Sequence, residues 1–414
     1  MDGVAEARPR LFGARQWMLV WGPGLLVMLA DTDAGNVVTG AQAGAQWGYR
    51  LLPLLLLLAP MLYMLQELTV RLGLATGRGH GELIRERFGV GWAWLSTAGL
   101  AAAVIGSLIT EFTGVAGIGE LYGLSRTVTL PLSAAALLAV VATGSYRRVE
   151  RTAIVIGLFE LAFFAVAWAA HPNLGTVARD VVDLPLGNHE FLYLAAAVIG
   201  ATFNPWMIFY QQSAIADKKL RPDDLRAARW DTAFGAALTQ CLTGAVLVAA
   251  AATLGAGGAS AGLRSVGEIS NALSPLLGES VGRAVFSAGV LGASLVAAIV
   301  CSLALAWGVG EVAGYRRSLE HHPFAAKWFY GVYAAAVVGA AALVGFVPDL
   351  VWLNIAAQVL NAFLLPLVVG FLVALALTAL PAPLRPRGLY LGMLIGVSAL
   401  VIALGLYGGV AGLM

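Results

Sequence analysis

Apolar runs of about twenty residues recur along the whole chain, separated by short polar stretches, and each is long enough to cross ~30 Å of hydrocarbon as a helix. Eleven spans are predicted, at about 17–47, 51–75, 92–122, 128–144, 152–170, 190–214, 231–255, 280–313, 326–347, 350–380 and 388–412. The pattern breaks inside two of them. In the first, Asp31-Thr32-Asp33-Ala34-Gly35-Asn36 separates an apolar half from Trp17 to Ala30 and another from Val37 to Trp47. In the sixth, Asn204-Pro205 separates Phe191–Phe203 from Trp206–Ile215, and the second half carries Gln211 and Gln212.

A charged residue at membrane depth costs ~2.5–3.5 kcal/mol on insertion scales and therefore faces a cavity or a partner. Backbone leaves the helix at that depth only where protein or water satisfies it. The first break, with two carboxylates, an amide and freed carbonyls, is suited to receive a cation. Proline in the sixth span removes a helical hydrogen bond and frees carbonyls near Ala201 and Thr202. A simple proline kink is the alternative reading of that span taken alone. Two breaks at corresponding positions of two five-span halves instead predict an inverted-repeat transporter with its site at the midplane. The halves, about 17–170 and 190–380, then run in opposite directions, the breaks face each other, and 388–412 is an extra helix of one transmembrane domain.

Composition agrees: 59% of the 414 residues are hydrophobic and 12% charged, against about 25% charged in soluble domains. Charge distribution is more telling than the net +2. Alternate loops hold Arg8, Arg10, Arg15; Arg71, Arg78, Arg85, Arg87; Arg147, Arg148, Arg151; Lys218, Lys219, Arg221, Arg226, Arg229; Arg316, Arg317, Lys327; and Arg385, Arg387, which is 20 of the 25 basic residues. The others, Arg50, Arg126, Arg179, Arg264 and Arg283, fall on the opposite side. The positive-inside rule predicts a multi-pass inner (plasma) membrane protein with a cytoplasmic N-terminus and an extracytoplasmic C-terminus. No cleavable signal peptide is expected. Cys241 and Cys301 lie in apolar runs and read as core thiols, not as a disulfide or zinc site.

The motifs at the breaks resemble the Nramp family of divalent-metal transporters. Its Asp-Pro-Gly-Asn is similar to Asp33-Ala34-Gly35-Asn36, flanked by Gly22-Pro23-Gly24 and Gln42-Ala43-Gly44-Ala45, with Arg71-Leu72-Gly73-Leu74-Ala75-Thr76-Gly77 ending span two. Its Ala-Thr-x-Met-Pro-His resembles Ala201-Thr202-Phe203-Asn204-Pro205-Trp206, and Gln358 matches a glutamine that approaches the metal. The resemblance implies an all-α, LeuT-like fold of eleven helices with broken helices 1 and 6, alternating access, and metal ligation by Asp33, Asn36, Ala201, Asn204 and Gln358.

Departures from the family bear on the cargo. The soft thioether of the family is replaced by Asn204, and Asp31 adds a carboxylate two residues before Asp33. Asp31 is either a sixth ligand or a buried carboxyl paired with a neighbouring amide; with Asp33 ionised beside it, repulsion favours a divalent cation or protonation of one of them. The donor set is then all oxygen, which suits Mg²⁺, Ca²⁺ and Mn²⁺ over softer metals. A hydrated Mg²⁺ touching one or two carboxylates fits such a site. The family's sixth-span histidines are Trp206 and Gln211 here. Its third-span acidic pair retains Glu111, while the second position reads as Gly114. All five histidines fall in predicted loops, so the side chain that titrates near neutrality is missing from the spans. The sequence resembles the magnesium-carrying branch of the family, for which strict proton coupling is not expected. Glu111, Thr202, Trp206 and Gln211 are assigned to the access path or residual proton handling.

Glu67, Glu120, Glu160 and Glu311 are expected to cap, to pair with interfacial arginines or to line a water vestibule. The predicted function is import of divalent cations, Mg²⁺ first and Mn²⁺ as co-substrate, with proton-coupled Mn²⁺/Fe²⁺ import as the alternative. An organic-anion carrier is disfavoured by the Asp31/Asp33 pair. A membrane metalloprotease would need His-Glu-x-x-His, and His189-Glu190 lacks the second histidine. No enzymatic activity, resident cofactor or nucleic-acid partner is predicted; the partners are the transported ion and the bilayer, with the monomer as the working unit.

Overall fold

The computed structural model describes residues 20–254, 263, 266–273, 277–346 and 350–413. Arg8, Arg10, Arg15 and Arg264, and the first residues of the predicted first half-helix, lie outside the described residues. Within them the chain is helical and has no strand. The first span is split into α1 (Pro23–Asp31) and α2 (Ala34–Trp47), followed by α3 (Leu52–Thr76), a short α4 (His80–Phe88), α5 (Val90–Leu121) and α6 (Arg126–Val141). The fifth span is α7 (Tyr146–Gly157) and α8 (Ala162–Ala169), joined by a 3-10 turn at Leu158–Leu161. After α9 (Leu174–Asp180), the sixth span is split into α10 (His189–Thr202) and α11 (Pro205–Asp217). The chain then forms α12 (Leu225–Leu254), α13 (Val266–Leu273), α14 (Glu279–Ala313), α15 (Lys327–Val344), α16 (Leu350–Thr378) and α17 (Gly388–Leu413).

Among the described residues nine segments are long and apolar enough to cross a membrane. The other two predicted spans are the first, whose halves have 9 and 14 residues, and α6, an apolar helix of 16 residues. At 1.5 Å per residue α6 is about 24 Å long, shorter than the hydrocarbon core. The largest boundary differences are at α7, which starts at Tyr146, and α12, which starts at Leu225 rather than near 231.

Both breaks follow local chemistry. Asp33, with extended backbone, caps α2 by accepting the Asn36 amide at 2.6 Å, the usual service of an aspartate at that position. Asn204, also extended, precedes Pro205, the first residue of α11. Proline fits there because its missing N–H would have had no helical partner. The half-helices α1, α2 and α11 are buried almost throughout and α10 over its second half, whereas most residues of α15 and α17 are not buried within the bundle. Small residues allow such helices to pack closely without a hydrophobic drive between them.

The loops assigned to the basic side converge on one end of the bundle. Lys218 pairs with Glu150 (2.8 Å) and donates to the Trp21 carbonyl (2.8 Å). Glu67 receives Arg71 (2.7 Å), Arg229 (2.6 Å) and the Tyr390 hydroxyl (3.1 Å). Asp231 accepts from the amides of Gly22 (3.2 Å), Gly24 (2.7 Å) and Leu25 (3.0 Å), and so caps α1 from α12. At the opposite end Arg50 pairs with Asp183 at 2.8 Å, and the Tyr49 amide donates to Asp180 at 3.1 Å.

Three expectations change. Cys241 is exposed on the outer face of α12, and only Cys301 is a core thiol; an apolar run in a membrane helix has a lipid face as well as a core face. His80 is not a loop residue: it opens α4, is fully buried, and its Nδ1 lies 3.0 Å from Gln212 Oε1 at the end of the sixth span. Burial pushes its imidazole down to about 4 against the opposing Gln212 contact, so it is neutral at physiological pH. His189 is the first residue of α10, with Nδ1 2.7 Å from the Ala411 carbonyl.

Candidate functional site

The two breaks face each other and are tied directly. Asn36, on the first turn of α2, donates through Nδ2 to the Ala201 carbonyl at 3.0 Å and to the Asp31 carbonyl. Asn204 Nδ2 donates to Ala201 O at 2.8 Å and approaches Asp31 Oδ1 at 3.4 Å. The carbonyl freed by the second break is thus shared by the two asparagines. The other Asp31 oxygen is approached by Thr239 of α12 at 3.4 Å, whose hydroxyl also meets Thr32 Oγ1 at 2.8 Å.

Gln358 of α16 closes the site over the first break. Its side-chain amide rests on Gly35, where an added Cβ would collide with Nε2 and sit 3.0 Å from Cδ and 2.9 Å from Asp33 Oδ1. Asp31, Asp33, Asn36, Ala201, Asn204 and Gln358 are therefore brought together, each no more than 2% exposed.

One residue of this cluster escaped the sequence reading. Asn361, one turn beyond Gln358, donates to Asn204 Oδ1 at 2.5 Å and to Gln358 Oε1 at 3.0 Å. It links α16 to the second break. The signal is present in the sequence: Asn354, Gln358 and Asn361 recur at helical spacing within an apolar run, and all three are buried.

Several polar atoms of the cluster lack a hydrogen-bond partner. Among the described residues, Asp33 Oδ2, Asn361 Oδ1 and Gln358 Nε2 are buried without a hydrogen-bond partner. Unsatisfied buried polar groups are costly and call for an explanation. Two of these three are acceptors, and Asp31 has only long contacts from Asn204 and Thr239. A cation supplies what such oxygens lack. Among the described residues no group of three or more His, Cys, Asp or Glu side chains is placed to hold a metal. The donors are two carboxylates with amides and a carbonyl, a set suited to a hard, partly hydrated ion.

The access-path residues separate into distinct environments. Glu111 of α5 is beside the first break: its Oε2 accepts the Ala34 amide at 3.1 Å and its Oε1 the Thr110 hydroxyl at 3.1 Å. At Gly114 the helix approaches so closely that a Cβ would lie 2.8 Å from that of Ala34, leaving no room for a second acid. Trp206 donates to Ser107 Oγ at 3.0 Å. Gln211 bridges Thr69 (2.8 Å) and Thr232 (2.7 Å). Thr202 turns back to the Val198 carbonyl of its own helix at 3.0 Å, so its hydroxyl is spent within α10.

The remaining acids mostly cap or pair. Glu67 has its two arginines, Glu120 pairs with Arg126, and Glu311 accepts from the Gly81 amide (2.8 Å) and Ser213 (2.5 Å). Glu160 departs from that expectation. On the 3-10 turn it is fully buried and faces Thr32 of the first break, and among the described residues its carboxyl has no ion-pair partner. The arginines of its own segment, Arg147, Arg148 and Arg151, lie at the start of α7, about two and a half to three and a half helical turns away along the chain.

Residues 24–411 match the family described as Nramp, natural resistance-associated macrophage protein-like. Over 302 residues the chain is 28% identical to the divalent metal cation transporter MntH of Brucella suis, covering 70% of this chain and 66% of that protein. It is 32% identical over 314 residues to the divalent metal cation transporter MntH 1 of Pseudomonas aeruginosa, covering 70% and 67%. The chain thus spans about two thirds of the length of these curated relatives. Among solved structures, a manganese transporter of Eremococcus coleocola is similar in fold, with a TM-score of 0.78 at 18% identity, covering 98% of this chain and 90% of that one. MhsT in complex with L-phenylalanine is similar over 97% and 99%, with a TM-score of 0.57 at 14% identity. With its two opposed breaks and its match over residues 24–411, the chain belongs to the Nramp family and has the LeuT-like, inverted-repeat fold.

Proposed function

We propose that this protein is a secondary transporter importing divalent cations by alternating access, with Mg²⁺ as the favoured cargo, Mn²⁺ as a co-substrate, and no strict proton coupling. The observation that carries this reading is the oxygen-only donor set, with Asp33 Oδ2 and Asn361 Oδ1 buried without a hydrogen-bond partner among the described residues. Relatives named divalent metal cation transporters support the cargo class. Asn204 in the place of a thioether supports a hard ion. In the proposed role Asp33 supplies the main charge, Asp31 the second, Asn36 and Asn204 turn amide oxygens inward, Ala201 offers its carbonyl, and Gln358 covers the ion. The inside-negative potential would contribute ~4.6 kcal/mol per 100 mV for two charges. The Arg/Lys-rich end of the bundle is assigned to the cytoplasm of an inner-membrane protein that works as a monomer and has no enzymatic activity. A polar cavity of about 310 Å³ at that end, lined by Ser213, Asp217, Glu311 and Tyr315, is a suitable exit vestibule.

A second reading, proton-coupled import of Mn²⁺ or Fe²⁺, is favoured by Glu111 beside the break and by the buried Glu160, which has no ion-pair partner among the described residues. Purified protein in liposomes loaded with Mg²⁺ and pH indicators separates the two. Under a negative internal potential the first reading expects Mg²⁺ influx with no pH change. Influx of Mn²⁺ but not Mg²⁺, with internal acidification, would replace it by the second.

Asn204→Met is expected to shift selectivity toward Cd²⁺, read as the Cd²⁺ concentration that halves Mg²⁺ uptake. A fall of about tenfold corresponds to ~1.4 kcal/mol of added preference. An unchanged value would mean that the ion keeps its water and does not touch residue 204.

A further inference from the structure

At the basic end, away from the ion site, a cavity of about 650 Å³ lies between α3 and α12. Its walls include Tyr63 of α3, Arg226, Arg229 and Trp230 of α12, and Asp223 of the preceding turn. Arg229 is fixed at the wall because its Nε is bound to buried Glu67 at 2.6 Å. Arg226 is exposed and has no ion pair or hydrogen bond among the described residues. With Glu67 shared between Arg229 and Arg71, three guanidinium groups (Arg71, Arg226, Arg229) stand against two carboxylates (Glu67, Asp223), which leaves the cavity net positive.

The helix that supplies these cations continues as an apolar track. Arg226, Trp230 and Phe234 follow at four-residue intervals, so they share one face of α12. Trp230 and Phe234 are 56% and 51% exposed, and Phe234 packs on Trp21 with ring centroids 5.8 Å apart. Cys241 lies two turns further along α12, also exposed. A cation, then an interfacial tryptophan, then an outward apolar stripe match the headgroup, glycerol and acyl regions of a lipid. Aromatic residues settle at the membrane interface, and basic pockets beside it attract anionic headgroups.

From this juxtaposition we infer that the cavity between Tyr63 and α12 is a specific site for an anionic phospholipid of the adjoining leaflet. The phosphate is held by Arg226 and the terminal nitrogens of Arg229, and one acyl chain runs along Trp230 and Phe234. Asp223, which also lines the cavity, opposes the anion, which makes the second arginine necessary. The site does not depend on the nature of the transported ion.

The test is native mass spectrometry of the full-length protein released from micelles containing equal amounts of phosphatidylglycerol and phosphatidylethanolamine with matched chains. The wild-type protein is expected to retain phosphatidylglycerol in preference. Arg226→Gln should lower that preference about fivefold, the size expected of one basic residue near an anionic surface. Arg226→Lys should keep it. Trp230→Ala should shorten retention of phosphatidylglycerol by removing the tail contact. Equal retention of the two lipids by wild type, or an unchanged preference in Arg226→Gln, would overturn the assignment. Displacement of the bound lipid by millimolar inorganic phosphate alone would also overturn it, because the site would then select a free anion rather than an amphiphile. An unchanged unfolding temperature of Arg226→Gln distinguishes a lost site from a lost fold.

Discussion

Asp33→Ala is expected to abolish divalent-cation uptake while the protein remains folded in the membrane. The side chain has two jobs of different size. Its Oδ1 caps α2 through the Asn36 amide, a contribution of about 1 kcal/mol. Its Oδ2, buried and without a hydrogen-bond partner among the described residues, supplies the main charge for the cation on the proposed reading. Removing one partner of a buried charge pair costs about 3–5 kcal/mol, which is about a hundredfold or more in binding. Uptake should therefore fall to background while the unfolding temperature moves by only a few degrees. Asp33→Asn separates the two jobs, since an amide oxygen can still cap the helix. Its uptake should be as low as that of the alanine variant. Transport by Asp33→Ala at more than a tenth of the wild-type rate would refute the assignment of this carboxylate as the principal ligand.

Gly35→Ala is expected to lose uptake for a different reason. Alanine is better than glycine within a helix by about 1 kcal/mol, and α2 should if anything be stabilised. The new methyl, however, would occupy the space of the Gln358 amide and lie 2.9 Å from Asp33 Oδ1. Gln358 has little freedom to retreat, because its Oε1 accepts from Asn361, which in turn holds Asn204. One methyl group thus pushes on a chain that runs from the first break through α16 to the second. Uptake should fall at least about tenfold with thermal stability retained, a combination that propensity alone would not produce. Adding Gly35→Ala to Gln358→Ala should cost little more than Gln358→Ala alone, since residues that share a contact are not additive. Wild-type uptake by Gly35→Ala would mean that Gln358 does not close over the ion.

The fold was legible because its signals are local. An apolar run, a proline at the start of α11 and an aspartate before α2 each act within a few residues, and the helices are interrupted at 32–33, inside the first predicted break, and at 203–204, one residue before the second. Site residues that interrupt helices, such as Asp33, Asn36 and Asn204, were visible for the same reason. What stayed hidden depends on which way a continuous helix faces. Asn361 sits within the unbroken α16, and its role follows from contact with Asn204, 157 positions away. Asp231 has no local signal at all; its meaning is the start of α1, more than 200 residues earlier. The exposure of Cys241 and the burial of His80 are likewise set by neighbours from other helices. Glu160 was legible as a buried acid, but the absence of an arginine beside it was not, since pairing depends on which end of the bundle each charge occupies.

The three amides that Asp231 gathers at the start of α1 have a kinetic meaning. Any rearrangement that parts α1 from α12 must release all three from one carboxylate, and hydrogen bonds to charged groups are worth about 1.5–3 kcal/mol each. Such a latch would brake any transport step that parts the two helices: its load would appear as activation enthalpy and make that step steeply temperature-dependent. On the proposed reading, the carboxylate that sets this load is Asp231, at the basic end of the bundle and outside the residues assigned to the cargo.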